Sequence, residues 1–238
     1  MRCTLLKRAV QLALLLPGLV AGGAARADLS GYTIEKLAFE GDPAPSGGIL
    51  NQMVGELDVE AGGPVVFVSY TWDGISGEIG IFGSEDGVLA TLVREGDVAP
   101  ETGGLLFADV NRPRIAAPDV LGHMGIYQDG ENGYWGGFLH VDSTDVAMAL
   151  PGTPAPGGGS VDKVLYVHTA TATPAVAFGA LVDTGGVDPI AVHFVHEPTA
   201  LREIFRDGQA APAGVGGSFS DVQAWWVPAL EPDGTATF

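Results

Sequence analysis

A five-residue motif recurs four times along this chain at almost constant spacing. Every copy reads G-x-x-A-P, and the first glycines of successive copies are 55, 56 and 56 residues apart. The copies occupy residues 41–45, 96–100, 152–156 and 208–212. Units of this length cannot bury an apolar face alone, so they stack on their neighbours. The spacing therefore predicts a single repeat domain over 28–238, with units at approximately 41–95, 96–151, 152–207 and 208–238.

Short apolar runs between the motifs indicate that the units consist of strands. They cover 65–70, 79–82 and 88–94 in the first unit, and 164–168, 175–180, 190–195 and 201–206 in the third. β-Branched and aromatic residues dominate these runs, and turn residues separate them. The 36 glycines and 16 prolines disfavour long helices. The sequence thus predicts an all-β fold with about four strands in each unit of about 56 residues.

Two arrangements of such units fit the pattern. Residues 33–40 resemble the last strand of a unit, and in a ring they would complete the fourth unit. Ring closure removes open sheet edges, as β-propellers do. We therefore expect a small four-bladed β-propeller in which 33–40 close the last unit, although that unit remains one strand short. The alternative is an open β-repeat array.

The first 27 residues have the layout of a secretory signal peptide. Three basic residues precede an apolar run over 9–20, and Ala25-Arg26-Ala27 provides an A-x-A cleavage site. The run is too short to span a bilayer, and no later stretch of 18 apolar residues occurs. We expect cleavage near Ala27, no transmembrane segment in the mature chain, and a secreted or periplasmic/extracellular location.

The charge balance is strongly acidic. The chain has 29 acidic and 11 basic residues, a net charge of −18, and loss of residues 1–27 changes this to −22. Because phosphate backbones require lysine and arginine, we expect no nucleic-acid partner. The only cysteine, Cys3, leaves with the signal peptide. Packing or a bound ion must then stabilise the mature chain, since no disulfide can form.

Many aspartates lie next to a glycine, and two interpretations compete for them. Carboxylates in turns are typical calcium ligands. Aspartate also bonds its own backbone in turns, where glycine supplies positive φ. The turn interpretation is favoured because no D-x-D-x-D-G loop or nonapeptide repeat occurs. Calcium stays a candidate cofactor, because the large negative charge is self-repulsive. The pairs are Gly41-Asp42, Asp73-Gly74, Asp86-Gly87, Gly96-Asp97, Asp129-Gly130, Asp207-Gly208 and Asp233-Gly234.

The histidines do not have the spacing of a metal site. His193 and His196 are three residues apart, and this offset places them on opposite faces of a strand. The other three, His123, His140 and His168, lack any spacing typical of zinc, and we interpret them as surface or turn residues.

Two aromatic pairs and a search for catalytic motifs complete the list of candidates. In Tyr134-Trp135 and Trp225-Trp226, strand alternation would bury one ring and expose the other, and an exposed ring can stack on a sugar. No G-x-S-x-G, H-E-x-x-H or P-loop motif occurs. The sequence therefore assigns no catalytic, cofactor-binding or metal-ligating residue, and it leans away from an enzyme.

The repeats resemble those of a bacterial choice-of-anchor family with tandem N-x-x-G-x-x-A-F repeats. The asparagine positions hold Glu60, Asp119, Thr171 and Glu231, the glycine positions Gly63, Gly122, Pro174 and Gly234, and the aromatic positions Phe67, Ile126, Phe178 and Phe238. The resemblance implies surface attachment, but no anchor follows Phe238. We thus expect either a released protein or a chain truncated at that residue.

Together these features predict an extracellular structural or binding module. Its expected partner is an extracellular polysaccharide or a cell-surface component. The alternative function is a polysaccharide-acting hydrolase on a propeller scaffold, and this alternative rests on analogy of fold alone.

Overall fold

The structure is a computed structural model that describes residues 37–59, 64–85, 88–117, 120–169, 175–197, 200–210, 216–220, 229–230 and 236–237. Within these ranges the chain forms strands and no helix, which confirms the all-β prediction. The strands are β1 (Ile49–Val59), β2 (Val65–Trp72), β3 (Gly77–Glu85), β4 (Val88–Arg94), β5 (Leu106–Ala117), β6 (Val120–Asp129), β7 (Asn132–Val141), β8 (Thr144–Ala149), β9 (Ser160–Thr169), β10 (Val176–Asp183), β11 (Ile190–Glu197), β12 (Ala200–Arg206), β13 (Ala229–Leu230) and β14 (Ala236–Thr237).

Each of the first three units forms its own antiparallel sheet of four strands. The strand orders are β1-β2-β3-β4, β5-β6-β7-β8 and β9-β10-β11-β12, so every sheet is a simple meander. In the fourth unit the described strands β13 and β14 pair with each other. The apolar runs predicted from sequence all lie in or at the edge of these strands, and 88–94 matches β4 at both ends. The prediction of about four strands in a unit is confirmed for three units.

Consecutive sheets pack face to face. The first strand of the second sheet, β5, contacts all four strands of the first sheet, and β9 contacts β5, β6 and β7. One apolar core lies between the first and second sheets and another between the second and third. The inner strands are covered on both faces, so β2 and β10 are runs of buried residues rather than alternating ones. The outer strand β4 has one face exposed and alternates.

The G-x-x-A-P motif builds the same corner in all four units. At the second corner the Gly96 amide donates to the carbonyl of Phe107 at 2.8 Å, and the Phe107 amide donates back to the carbonyl of Asp97 at 2.9 Å. The Asp97 carboxylate also accepts the Arg94 amide at 2.9 Å. The alanine of the motif is buried in the first three copies, as Ala44, Ala99 and Ala155. The corresponding glycine-to-strand bonds of the other corners join Gly41 to Leu50, Gly152 to Val161 and Gly208 to Phe219.

A stacked pair of aromatic rings recurs on the second and third strands of each sheet. The pairs are Phe67–Phe82, His123–Phe138 and Phe178–Phe194, with ring centroids 5.8, 5.5 and 5.2 Å apart. Cross-strand pairing makes His123, and not Ile126, the equivalent of Phe67 and Phe178. The assignment of Ile126 to the aromatic position was therefore wrong. Ile126 was assigned because it lies four residues after Gly122, as Phe67 lies after Gly63, whereas strand pairing makes Gly122 equivalent to Val66.

Several predictions about the ends of the chain fall largely beyond the described residues. The signal peptide over 1–27, residues 33–36 and Phe238 all lie outside them. Residues 37–40 are described, and they are not part of a strand. Ala38 packs on the cluster of Leu50, Phe67 and Phe82, at the outer face of the first sheet. No helix within the described part of the chain is long and apolar enough to cross a membrane.

The corner glycines predict a position-specific loss of stability. Gly96 has a φ of 87°, and an added Cβ would have no atom within 4 Å, so the cost of a side chain comes from the backbone alone. We expect Gly96→Val to lower the free energy of unfolding by about 1–3 kcal/mol in urea denaturation. Gly133→Val is the matched control, because Gly133 is exposed within β7 and outside the left-handed region. Equal stability of the two variants would contradict the corner assignment.

Candidate functional site

Six polar side chains occupy equivalent positions on the first strands of the three sheets. We call them the first-strand row: Glu56 and Asp58 on β1, Arg112 and Arg114 on β5, and Tyr166 and His168 on β9. Asp58, Arg114 and His168 pair with Val66, Gly122 and Ala177, each of which directly precedes a ring of the stacked pairs. Glu56, Arg112 and Tyr166 lie two residues earlier on the same strands. All six are partly buried.

Local irregularities in the first strands position this row. The pairing register shifts between Met53 and Leu57 on β1, and between Asn111 and Arg114 on β5. Arg112 lies in the second of these shifts with a φ of 54°, which is rare for a residue with a side chain. Bulges re-aim side chains and are common beside functional sites. They allow charged residues to lie where regular alternation would not place them.

Part of the row is linked from sheet to sheet. The Arg112 Nε lies 3.9 Å from the Glu56 Oε1, and the guanidinium carbon lies 4.3 Å from the ring centre of Tyr166. The Tyr166 ring stacks in turn on the His168 ring at 4.5 Å. A carboxylate, a cation and an aromatic ring, one from each sheet, are thus in direct succession. The other three members of the row, Asp58, Arg114 and His168, are bonded differently.

The Asp58 carboxylate accepts hydrogen bonds from the backbone. Its Oδ2 accepts the Ile115 amide of β5 at 2.9 Å, and its Oδ1 accepts the Val59 amide at 3.0 Å. This carboxylate joins the first sheet to the second. Arg114 is different, because its hydrogen bond within the described residues goes to the neighbouring Pro113 carbonyl at 2.8 Å. No carboxylate of the described chain lies within salt-bridge distance of it.

Burial shifts the pKa of two titratable groups on β5 and β9. Burial is the largest cause of a lowered pKa at His168, and nearby cations, first Arg114, bring that pKa to about 3. His168 is therefore neutral at physiological pH, and it can accept or donate a hydrogen bond without a charge. On the same strand as Arg114, burial raises the pKa of Asp109.

Several polar atoms at the row are buried without a hydrogen-bond partner in the described structure. They are Glu56 Oε2, Arg112 Nη1 and His168 Nε2 in the row itself, and Asp109 Oδ1 and Asn111 Oδ1 earlier on β5. Each buried polar atom left unpaired costs about 1–3 kcal/mol. Buried polar groups are normally satisfied by protein, by water or by a ligand. Three of these atoms belong to linked members of the row, Glu56, Arg112 and His168, which marks the row as a candidate binding site.

A second polar cluster lies inside the second sheet. Asp145 Oδ1 is 3.3 Å from His123 Nε2 and 3.0 Å from His140 Nδ1. Burial opposes ionisation of Asp145, but the hydrogen bonds from both histidines outweigh it and lower its pKa to about 2. His123 is fully buried, so its interpretation as a surface or turn residue was wrong. Pairing of β6, β7 and β8 brings His123, His140 and Asp145 together, although they are distant in the sequence.

His140 also lines a cleft of about 680 Å³ between the first and second sheets. The cleft wall is mainly apolar, and the polar groups are few. The wall includes Val66, Leu92, Ile115 and Leu121, with Ser84, Asp142 and Ser143 among the polar residues. This size is in the range of small-molecule sites. The cleft contains a smaller number of charged groups than the first-strand row.

The aspartates of the turns bond the backbone. Asp42 accepts the Phe39 amide at 2.8 Å, and Asp73 accepts the amides of Ile75 and Ser76, both at 2.7 Å. Together with Asp97, these residues confirm the turn interpretation at three of the seven pairs. Asp86 and Asp233 lie outside the described residues. No group of three or more metal-ligating side chains occurs within the described ranges, and calcium binding stays a prediction of the sequence.

The histidine pair and one aromatic pair are arranged as expected. His193 stacks on Phe205 at 4.6 Å, whereas His196 pairs with Val176, which packs in the core between the second and third sheets. The two histidines thus lie on opposite faces of β11. Burial lowers the pKa of His196.

In the first aromatic pair, Tyr134 packs on the core and Trp135 is 37% exposed. Alternation along β7 therefore separates the two rings as predicted. Trp225-Trp226 lies outside the described residues.

A family model, described as a family of unknown function (DUF7453), matches residues 21–238. The chain belongs to the DUF7453 family. No curated protein and no solved structure matches it. Membership in DUF7453 assigns no activity, so the chemistry of the first-strand row has to be interpreted from its own geometry. The resemblance to choice-of-anchor repeats stays a prediction for this DUF7453 chain.

The first-strand row was missed from sequence, although a signal was present. Positions 56, 112 and 166, and 58, 114 and 168, have the spacing of the repeat to within two residues. Aligning the units would have shown polar residues recurring in the strand that follows each corner. The strand itself was not predicted in the first unit, because the bulges disrupt the alternation expected of β1.

The Asp145 cluster predicts a pH-dependent contribution to stability. A carboxylate whose pKa is lowered from 3.8 to about 2 stabilises the fold above its unfolded pKa, and it loses this contribution as the pH falls through about 4 to 2. We expect Asp145→Asn to reduce the free energy of unfolding by about 2 kcal/mol at pH 7 and by much less near pH 2. Urea titrations at several pH values measure this gap. Asp188→Asn, at an exposed position, is the control, and a gap independent of pH would contradict the assignment.

Proposed function

We propose that the four units close into a small four-bladed β-propeller. Four equivalent corners, three meander sheets packed face to face and the contacts of β5 with both β1 and β9 support this arrangement. In a propeller the first strands of the blades surround the central axis. The first-strand row would then line that axis. Residues 33–40 are the proposed closing segment of the fourth blade, although 37–40 are not part of a strand.

We propose that this protein is an extracellular binding module whose ligand site is the first-strand row. The buried, unpaired polar atoms of Glu56, Arg112 and His168 carry the proposal. A ligand that supplies both donors and acceptors would satisfy them. The apparent signal peptide over 1–27 supports export, so such a ligand would be met outside the cytoplasm.

A polyhydroxylated ligand fits this set of groups best. The row mixes a carboxylate, guanidinium groups, a tyrosine and a neutral imidazole, whose donors and acceptors match sugar hydroxyls. An apolar ligand would leave the same atoms unpaired, at the cost already given. We therefore propose an extracellular polysaccharide as the partner.

Binding is favoured over hydrolysis by the state of the two acids in the row. Glycoside hydrolysis requires two carboxyl groups that act on the substrate. Both oxygens of Asp58 accept backbone amides, and Glu56 faces Arg112. These acids hold the scaffold and the arginine. A hydrolase stays the alternative, and the experiment below separates it from a binding module.

Retention on immobilised polysaccharides tests the proposed function. We expect the secreted chain to be retained on at least one extracellular polysaccharide, and His168→Ala to reduce retention about tenfold, since it removes a hydrogen-bonding group of the row. His196→Ala is the control, because His196 is another partly buried histidine outside the row. Equal retention of both variants would place the ligand elsewhere. Release of reducing ends would favour the hydrolase.

Ring closure is tested by a deletion. We expect removal of residues 33–40 to expose an edge of the fourth unit and to cause aggregation, measured by size-exclusion chromatography with light scattering. Removal of residues 28–32 is the control, since these residues precede the proposed closing strand. A soluble, monomeric 33–40 deletion with an unchanged melting temperature would argue for the open array.

A further inference from the structure

We infer that the ligand of the first-strand row carries a carboxylate group, which pairs with Arg114. The ligand class is thus an acidic sugar, such as a uronic acid within a polysaccharide. The inference rests on the proposed sugar-binding function and restricts the ligand to sugars that carry a negative charge. The evidence is a comparison of which arginines in the described chain have an acidic partner and which do not.

Arginines are scarce in this protein, and nearly all of those described are matched by an acid. Five arginines lie within the described residues, and four of them are within salt-bridge distance of a carboxylate. The pairs are Arg94 with Glu78 and Asp97, Arg112 with Glu56, Arg202 with Glu197, and Arg206 with Glu203. Arg114 is the fifth, and it is partly buried in the row. Within the described part of the chain, one partly buried guanidinium is thus left without an acidic partner.

The neighbours of Arg114 do not neutralise it. Asp58, the acid at the equivalent position on β1, is occupied by the amides of Ile115 and Val59. His168, at the equivalent position on β9, has a lowered pKa, mainly because it is buried and secondly because of the positive charge of Arg114. A partly buried cation without a counter-ion is costly, so an anionic ligand gains from occupying this place.

The geometry favours a single carboxylate over a more highly charged group. A planar guanidinium presents paired N–H donors that match the two oxygens of a carboxylate. The whole chain has a net charge of −18, which repels multiply charged anions at long range. A uronic acid places one such carboxylate on a ring of hydroxyl groups. The hydroxyls can bond the unpaired Nε2 of His168, which is buried in the same row.

The experiment compares an acidic sugar with its own ester. Galacturonic acid, which carries one carboxylate, and its methyl ester have the same sugar ring, and only the acid is charged. Isothermal titration calorimetry is done in a calcium-free buffer, so that an ion cannot bridge the sugar to the acidic surface. We expect the acid to bind about tenfold more tightly or better, because a charge-assisted hydrogen bond is stronger than a neutral one.

Two variants assign the effect to Arg114. Arg114→Gln should remove the preference for the acid, and Arg114→Lys should restore part of it through charge without the paired donors. Arg202→Gln makes the same change in net charge at an exposed position and should keep the preference. Melting curves establish that each variant is folded, and the acid-to-ester ratio of the unmodified chain tests the inference even if Arg114→Gln does not fold.

The outcomes separate the inference from the proposed function. Equal binding of acid and ester, or tighter binding of the ester, overturns the carboxylate inference and leaves the sugar site in place. If Arg114→Gln keeps the preference for the acid and Arg202→Gln abolishes it, the role of Arg114 is overturned. If neither sugar binds and the polysaccharides retain nothing, the proposed function fails together with the inference.

Discussion

Face-to-face packing of consecutive sheets is the constraint on which the rest of this structure depends. Each sheet has two apolar faces over its inner strands, and neither face can be left in water. The stacked rings, such as Phe138 against His123, and the apolar residues around them fill the space between sheets. The G-x-x-A-P corner sets the start of each new sheet by joining the end of one unit to the first strand of the next. Because the same corner and the same kind of core recur, successive units form sheets of the same kind.

The same packing has a consequence for the polar residues. The first strand of each sheet lies against the preceding sheet, so charged groups placed on it are partly withdrawn from water. Such groups need partners, and the first-strand row finds them unevenly. Asp58 is held by backbone amides and Arg112 by Glu56, whereas Arg114 has no acidic partner in the described chain. The proposed ligand site follows from the missing acidic partner of Arg114 and from the unpaired polar atoms of the row.

Most of the architecture could be predicted from sequence, and most of the candidate site could not. Apolar runs such as 88–94 are local features, and a strand of that kind shows in its own residues. The first strand of the first unit, β1, escaped notice because its bulges and charged residues disrupt the alternating pattern. His123 illustrates the second difficulty, because a histidine between glycine and methionine gives no sign that it is buried in an aromatic position. Its partner Asp145 is 22 residues away and meets it only through the pairing of three strands.

The sequence by itself determined that the chain is built from repeats and strands. A motif written four times requires four similar corners, and turn residues such as Gly96 require the positive φ that is found there. Only the tertiary structure decided which polar residues come together. Glu56, Arg112 and Tyr166 belong to three different units, and their proximity depends on how the sheets pack, which no local pattern encodes. Backbone preferences act over a few residues, whereas a binding site is formed by contacts between distant ones.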